Sequence, residues 1–362
     1  MAGTGRKGTV AGVYVSLKEV AARAGVSFQT ASKVLNGNRR VVSAQTRARI
    51  LAAADELGYL RNALAHALVT RSTYTIGIIA DDLSDWVLAQ FVVGAEQEAR
   101  RAGHAVLIST AHRDAADVGG SVRRLLERRV DGILAAAPSL EDMAGVGDLL
   151  RGPVPAASIH HVPGGAVPVV GSDHGRTGRL AAEHLHALGH RRVATIAGPA
   201  GRRVSRSRLR GFRCALDAAG IALPPAAVVE ADWTPDGGCA ATHTLLDRDP
   251  SITAIFAQND GMAVGVLAAL SRLGRRVPGD CAVVGCDDLP QAPFLVPALT
   301  SVHIPFRETG QRAMALLLDR IAGARHPQQV LLPVRLVVRD STVPAGVPDR
   351  RAPADAVAHP RP

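Results

Sequence analysis

The sequence predicts an α/β protein in two parts, a basic all-helical N-terminal domain over 16–60 and a larger two-lobed body of parallel sheets over 73–340. Three observations carry this. The 362 residues suggest two or three folding units. The net charge of +10 is uneven: residues 1–71 hold 11 basic and 3 acidic groups, and the rest is close to balance. From Thr75 onward, short apolar runs alternate with helical stretches, the pattern of parallel sheets covered on both faces.

The first helix is predicted over Leu17–Ala24, where Leu17, Val20, Ala21 and Ala24 follow the i, i+3, i+4, i+7 spacing. Ser16 with Glu19 three residues on makes a capping box. Gly25-Val26 breaks the helix, and Ser27 caps a second one over Phe28–Leu35 that stops at Asn36-Gly37. Two short helices joined by a tight glycine turn form a helix-turn-helix unit. Ala31, Val34 and Leu35 serve packing. Ser27, Phe28, Gln29, Thr30, Ser32 and Lys33 supply the short polar, amide and basic groups that suit a major groove. Ser43 caps a third helix over Ala44–Leu57, with Arg47 and Arg49 expected to face phosphates. Between domain and body, Asn62 caps a short Ala/Leu helix over Ala63–Leu68, within a linker spanning 61–72. Such a helix is too short to stand alone and should form only when docked. A basic domain on a near-neutral body fits a polyanion reader attached to something else.

In the body, strands are predicted at Thr75–Ala80, Ala105–Ser109, Gly132–Ala136, Pro155–Ile159, Val193–Ala197, Ala254–Ala257 and Ala282–Gly285, with helices over Val87–Ala102 and Val118–Arg128. Such sheets bind ligands beyond the carboxyl ends of their strands. Aromatics make up only 3% of the chain, so the positions of Trp86 and Trp233 carry weight. Both fall after strands and beside carboxylates, in Asp81-Asp-Leu-Ser-Asp-Trp86 and Glu230-Ala-Asp-Trp-Thr-Pro. An aromatic face next to acidic and amide groups is how sugar rings are held. Gln258-Asn259-Asp260, Gly285-Cys-Asp287-Asp288 and Arg208 sit at comparable strand ends, with Asp260 reading as a helix cap.

The run Leu17-Lys-Glu-Val-Ala-Ala-Arg-Ala-Gly-Val-Ser-Phe-Gln-Thr-Ala-Ser-Lys-Val-Leu-Asn-Gly, followed by Val-Ser-Ala-Gln-Thr-Arg, Leu-Gly-Tyr and Asn-Ala-Leu-Ala, resembles the lac repressor (LacI/GalR) family of bacterial transcription regulators. The resemblance continues through the body and implies two periplasmic-binding-protein-like lobes. It places Phe28, Gln29 and Lys33 at base-contacting positions and Asn36 near the backbone. Asn62, Ala65 and Leu68 fall in the hinge helix, whose leucine kinks the minor groove between two chains. It implies that Asp81, Asp85, Arg208, Trp233, Asn259, Asp287 and Phe306 hold positions of the effector site, to which Trp86 and His160 are added as candidates. Arg61 departs from a common proline, Asp85-Trp86 from Asn-Pro, His160-His161 from Asp-Arg and Cys286 from an aromatic. Asp232-Trp233 resembles the pair of the family's founding repressor and implies a neutral sugar. Purines stay open, and phosphosugars are disfavoured by a single cleft arginine among carboxylates.

The implied function is a sequence-specific regulator, a repressor of sugar-utilisation genes, that binds a pseudo-palindromic double-stranded operator as a homodimer. A small-molecule effector, expected to be a sugar, would switch its operator affinity, and the sign of that switch is left open. No cofactor, metal or membrane partner is expected. Cys214, Cys239, Cys281 and Cys286 form no Cys-x-x-Cys pair, and His184, His186 and His190 do not share a helix face. No phosphate-loop or nucleophile-elbow motif suggests an enzyme. No apolar run reaches the length of a membrane helix, so the chain is expected in the cytoplasm. Residues 1–15 and the proline-rich 341–362 are expected to be disordered, and the tail has no leucine heptads for a tetramer.

Overall fold

The computed structural model describes residues 15–35, 42–60, 72–110, 115–143, 145–165, 167–325 and 327–343. The chain divides into two compact units, at residues 1–74 and 75–362.

In the first unit, helices α1 (Leu17–Arg23), α2 (Phe28–Leu35) and α3 (Ala44–Glu56) enclose a small core of Val20, Ala21, Ala24, Ala31, Val34, Ile50, Ala53 and Ala54. The capping box at α1 is present: Glu19 N donates to Ser16 Oγ, and Ser16 N donates to the Glu19 carboxylate at 2.6 Å. Replacing Ser16 with alanine should therefore cost about 1 kcal/mol, read as a lower unfolding midpoint of this unit. Gly25 makes the turn between α1 and α2 with φ +63°. Two expectations are amended. Arg49 is exposed as expected but is also engaged within the domain; its guanidinium donates to Ala24 O at 2.7 Å and braces that turn. Val15, assigned to the disordered arm, packs half-buried on the domain core. Asn36 and the linker residues Asn62, Ala65 and Leu68 lie outside the described residues.

The second unit contains two six-stranded sheets. The first comprises β1 (Thr75–Ala80), β2 (Ala105–Thr110), β3 (Gly132–Ala136), β4 (Ala156–Ser158), β5 (Val169–Ser172) and β11 (Gln329–Leu332), in the order β11-β5-β4-β3-β1-β2. The second comprises β6 (Val193–Ala197), β7 (Val228–Glu230), β8 (Ala254–Ala257), β9 (Ala282–Asp287), β10 (Thr300–His303) and β12 (Arg335–Val337), in the order β12-β10-β9-β8-β6-β7. Every pairing is parallel except β10 with β12. The near-continuous burial of β1, β3, β8 and β9 is what a sheet covered on both faces demands.

The covering helices are α4 (Trp86–Arg101), α5 (Ala115–Glu127), α6 (Val146–Leu150), α7 (His174–Ala187), α8 (Arg203–Ala218), α9 (Pro235–Arg248), α10 (Asp260–Arg272) and α11 (Phe306–Ile321). Three helix pairs pack backbone to backbone through reciprocal glycines: Gly94 and Gly310 join α4 to α11, Gly178 and Gly211 join α7 to α8, and Gly238 and Gly265 join α9 to α10. A Cβ at any of the six would fall inside a backbone atom of the partner helix. The chain passes between the lobes after β5, after β10 and after β11, so each lobe is built from discontinuous segments.

The C-terminal expectation needs correction. Ser341 and Thr342 are buried, not disordered. Thr300 N donates to Ser341 Oγ at 2.8 Å, Ser341 Oγ donates to Val283 O at 2.6 Å, and Thr342 Oγ1 bonds Thr300 Oγ1. Two small hydroxyl residues here finish the polar edge of β9 and β10, a role that a Pro-rich composition hides.

Candidate ligand cavity and nucleic-acid interface

A cavity of about 610 Å³ opens between the lobes, beyond the carboxyl ends of both sheets. From the first lobe, Asp81 follows β1. Its carboxylate accepts from Ser139 Oγ at 2.6 Å and from Ser139 N at 3.0 Å, which ties it to the segment after β3. Asp85 caps α4, with Oδ1 accepting from Val87 N at 2.8 Å and Leu88 N at 3.3 Å. Both carboxylates are thus held in place by backbone and still line the cavity.

Trp86, expected as a lining residue, is not one. With Asp85 as cap, Trp86 is the first helical residue. Its ring packs edge-on against Phe306 at 6.3 Å, 40% exposed, beside the cavity wall. Phe306 and Phe91 do line the cavity, edge to face at 5.3 Å, and Phe91 meets the His160 ring at 5.6 Å.

His160 Nε2 is buried without a hydrogen-bond partner, and burial first, then nearby Arg202, lowers its pKa to about 4. In half-buried His174, at the first interlobe crossing, Nδ1 is likewise buried without a partner among the described residues, and desolvation first, then Arg208, pushes its pKa well below the usual value. Both rings are neutral at pH 7, so either nitrogen can meet a hydroxyl as donor or acceptor. The unfolded chain binds protons at these histidines near pH 6.5 and the folded chain does not. Stability is therefore lost as pH falls from about 6.5 towards 4. A His160→Gln variant should lose less between pH 7 and pH 4.5, read from urea midpoints.

The second lobe supplies a buried ion pair. Arg208, on α8, donates through Nη1 to Gln258 O and through Nη2 to Asp287 Oδ1 at 3.3 Å. Its guanidinium carbon lies 6.0 Å from the centre of the Trp233 ring. Asp287 ends β9 with φ +112°, and burial raises its pKa to about 6 against the opposing pull of Arg208. Trp233 adopts φ +71° after β7, and such non-glycine positions are sparsely populated and concentrate at binding sites. Its turn is held by Asn259, whose Nδ2 donates to Trp233 O at 3.0 Å while Oδ1 accepts from Met262 N and caps α10.

Asn259, not Asp260, is the cap. Asp260 is buried behind the cavity, accepts from Ser301 Oγ at 2.6 Å and Leu289 N at 2.8 Å, and is pushed up to about 7 by burial and then by Asp287. Asp232 stays outside the cavity, accepting from Thr234 N and Oγ1.

The cavity therefore joins Asp81, Asp85, His160, Arg208, Trp233, Asn259, Asp287 and Phe306 of the expected set. Sequence reasoning missed His174, Glu141 and Arg202, whose Nη1 reaches across to Pro138 O of the other lobe at 3.1 Å. It also missed Gly198, whose missing side chain leaves room for the Trp233 ring. His174 follows β5, a four-residue strand too short to be read, so its strand-end position left no signal.

In the N-terminal unit, α2 buries Ala31 and Val34 and exposes Phe28, Gln29 and Lys33. Ser27 caps the helix, and its hydroxyl bonds Thr30 Oγ1 at 2.8 Å, so these two side chains are engaged with each other. Thr30 and Ser32 are half-buried. What remains outward is an aromatic, an amide and an ammonium group on one helix face.

A model of the bacterial regulatory proteins of the lacI family matches residues 16–62, and a periplasmic binding protein-like domain matches 182–342. The chain is 37% identical over 341 residues to the HTH-type transcriptional regulator CelR of Thermobifida fusca, across 90% of this chain and 98% of that protein. It belongs to the LacI family. Within the family it is also 35% identical to the ribose operon repressor of Escherichia coli (strain K12), across 87% of this chain and 96% of that one. Among solved structures, the lac repressor dimer bound to operator and the anti-inducer ONPF superposes with a TM-score of 0.82 at 34% identity, covering 91% of this chain and 99% of that one. A CelR–cellobiose complex gives 0.65 at 35% identity, covering 90% and 99%. As a LacI-family member the chain is a DNA-binding transcription regulator and not an enzyme. Among the described residues, no helix is long and apolar enough to cross a membrane, and no group of three His, Cys, Asp or Glu could hold a metal ion.

Proposed function

We propose that this regulator is a cytoplasmic repressor of sugar-utilisation genes that binds a pseudo-palindromic operator as a homodimer and changes its operator affinity when a neutral saccharide enters the interlobe cavity. The observation that carries the reading is the state of the cavity's cations. Two guanidiniums, Arg202 and Arg208, face the carboxylates of Asp81, Asp82, Asp85, Glu141 and Asp287 in the lining, and Arg208 is paired with Asp287, with only its Nε left without a partner among the described residues. An anionic ligand finds little to neutralise it there. A polyhydroxylated ring finds carboxylate acceptors, two neutral imidazoles and the Trp233 face. Relatives support the class: one CelR structure is a cellobiose complex, and a LacI-family regulator from Enterococcus faecium holds ribose.

In this account residues 16–60 read DNA, with Phe28, Gln29 and Lys33 at the base edges and Ser27, Thr30, Ser32 and Asn36 around them. Residues 61–72 form the hinge, with Asn62, Ala65 and Leu68 in the minor groove, and the body carries effector site and dimer contact. Because ligand binds between two lobes, it favours the lobe arrangement that fits it. A differential affinity worth ~1–3 kcal/mol suffices to reset operator binding.

A thermal-shift panel of cellobiose, lactose, ribose, purine bases and hexose phosphates tests the ligand class. A neutral sugar at 100 times its Kd should stabilise the protein by about 2.7 kcal/mol, with hexose phosphates inert. Stabilisation by phosphorylated compounds alone would overturn the reading.

A further inference from the structure

Helix α8 breaks the usual rules of helix composition. Its N-cap, Arg202, makes no side-chain capping bond, and its first turn has no acidic residue but begins with Arg203. Cations at a helix N-terminus oppose the helix dipole. Arg203, Arg206, Arg210 and Arg213 are all exposed and recur at i, i+3, i+7 and i+10, in single file along about 15 Å of one face. Adjacent members are like-charge neighbours three or four residues apart, each pair destabilising. Asp217, one turn beyond Arg213, is the only acidic residue on the helix. Arg203, Arg210 and Arg213 have no ion-pair partner among the described residues, and Arg206 bonds only the carbonyls of Ala200 and Gly201. Elsewhere in the body, Arg100, Arg101, Arg151 and Arg276 sit beside carboxylates, and exposed arginines without an ion pair among the described residues, such as Arg123, Arg128, Arg179, Arg248 and Arg312, do not form a four-membered row on one helix face.

The opposite side of the same helix faces the cavity, through Val204 and Arg208. Local rules broken over a whole helix face are what functional or strained surfaces show, and the exposed face of α8 shows no strain in its backbone.

We infer that the outer face of α8 is a docking surface for an acidic protein, one presenting carboxylates at helical spacing to Arg203, Arg206, Arg210 and Arg213. The row is closed by Asp217, one turn beyond Arg213, and carries no aromatic or amide side chain. A short acidic helix matches that layout, whereas a continuing phosphate backbone would run into Asp217. Because α8 has the partner on one side and the cavity on the other, docking and ligand occupancy would bear on one rigid element.

The test compares the full chain with a variant carrying Arg203→Gln, Arg206→Gln, Arg210→Gln and Arg213→Gln. The control carries Arg100→Gln, Arg101→Gln, Arg151→Gln and Arg276→Gln, which removes the same charge from paired sites. The probe is fluorescein-labelled poly-L-glutamate of about 20 residues, read by anisotropy with saturating unlabelled DNA duplex occupying the N-terminal domain. The α8 variant should bind it at least ~10-fold more weakly and the control within ~2-fold of the parent, on the scale of clustered against scattered surface charge. Equal losses would overturn the surface in favour of net charge. A matching loss of affinity for labelled duplex would assign the face to phosphate instead. Glutamine keeps arginine's helix propensity, so the α8 variant should melt at or above the parent. A lower melting point would make the arginines structural and also overturn the proposal.

Discussion

Replacing Arg208 with alanine should both unfold the body more easily and end its response to saccharide. The guanidinium is buried, 4% exposed, between Asp287 and Gln258 O. Removing it strands a buried carboxylate, and breaking such a pair typically costs ~3–5 kcal/mol. It also removes a donor edge beside the Trp233 ring. Chemical denaturation gives the first effect and calorimetric titration with a saccharide the second. The double variant Arg208→Met, Asp287→Asn separates them. Asparagine tolerates the φ of +112° and carries no charge, so most of the lost stability should return while saccharide binding stays lost. A double variant as unstable as the single one would mean that Arg208 matters through Gln258 O alone. In both variants the N-terminal unit has its own core, so non-specific DNA binding should persist.

Gly198→Ala tests the aromatic wall without touching the aromatic residue. A Cβ at Gly198 would fall well inside the Trp233 ring atoms. The ring is stiff, and the backbone that carries it is already held at positive φ by Asn259. The ring must therefore leave its position. Loss of an aromatic anchor costs about 2 kcal/mol or more, roughly 30-fold in affinity. Tryptophan emission should shift to the red in the same variant. Gly201→Ala is the control, since nothing lies within 4 Å of its Cβ position, and its saccharide affinity should match the parent's.

The long apolar runs made the framework legible. Thr75–Ala80, Gly132–Ala136, Val193–Ala197 and Ala254–Ala257 are strands with the expected bounds, because a strand buried on both faces is apolar throughout. The short strands β5, β11 and β12 were not legible, since a three- or four-residue segment that is not buried throughout has no such run, and β11 and β12 are sheet edges with exposed positions as well. Missing β5 also hid His174. Residues at strand ends could be placed in the cavity by position alone, as with Asp81, Asn259 and Asp287. What those side chains do there was not readable. That Asn259 caps a helix while fixing the Trp233 turn, or that Arg208 is spent on Asp287, depends on contacts between segments distant in sequence. Trp86 shows the limit most directly, because one helical position separates a lining residue from one beside the wall.

On this reading a ligand in the interlobe cavity resets DNA binding, a coupling that can be measured. It is tested most directly by titrating the full chain onto a duplex obtained by binding-site selection, with and without a saturating neutral saccharide from the thermal-shift panel. A coupling of ~1–3 kcal/mol predicts a change in duplex affinity of roughly 5- to 150-fold in the parent chain, and in the Gly198→Ala variant the same change should need roughly 30-fold more sugar. An unchanged duplex affinity with the cavity shown by calorimetry to be filled would contradict the account.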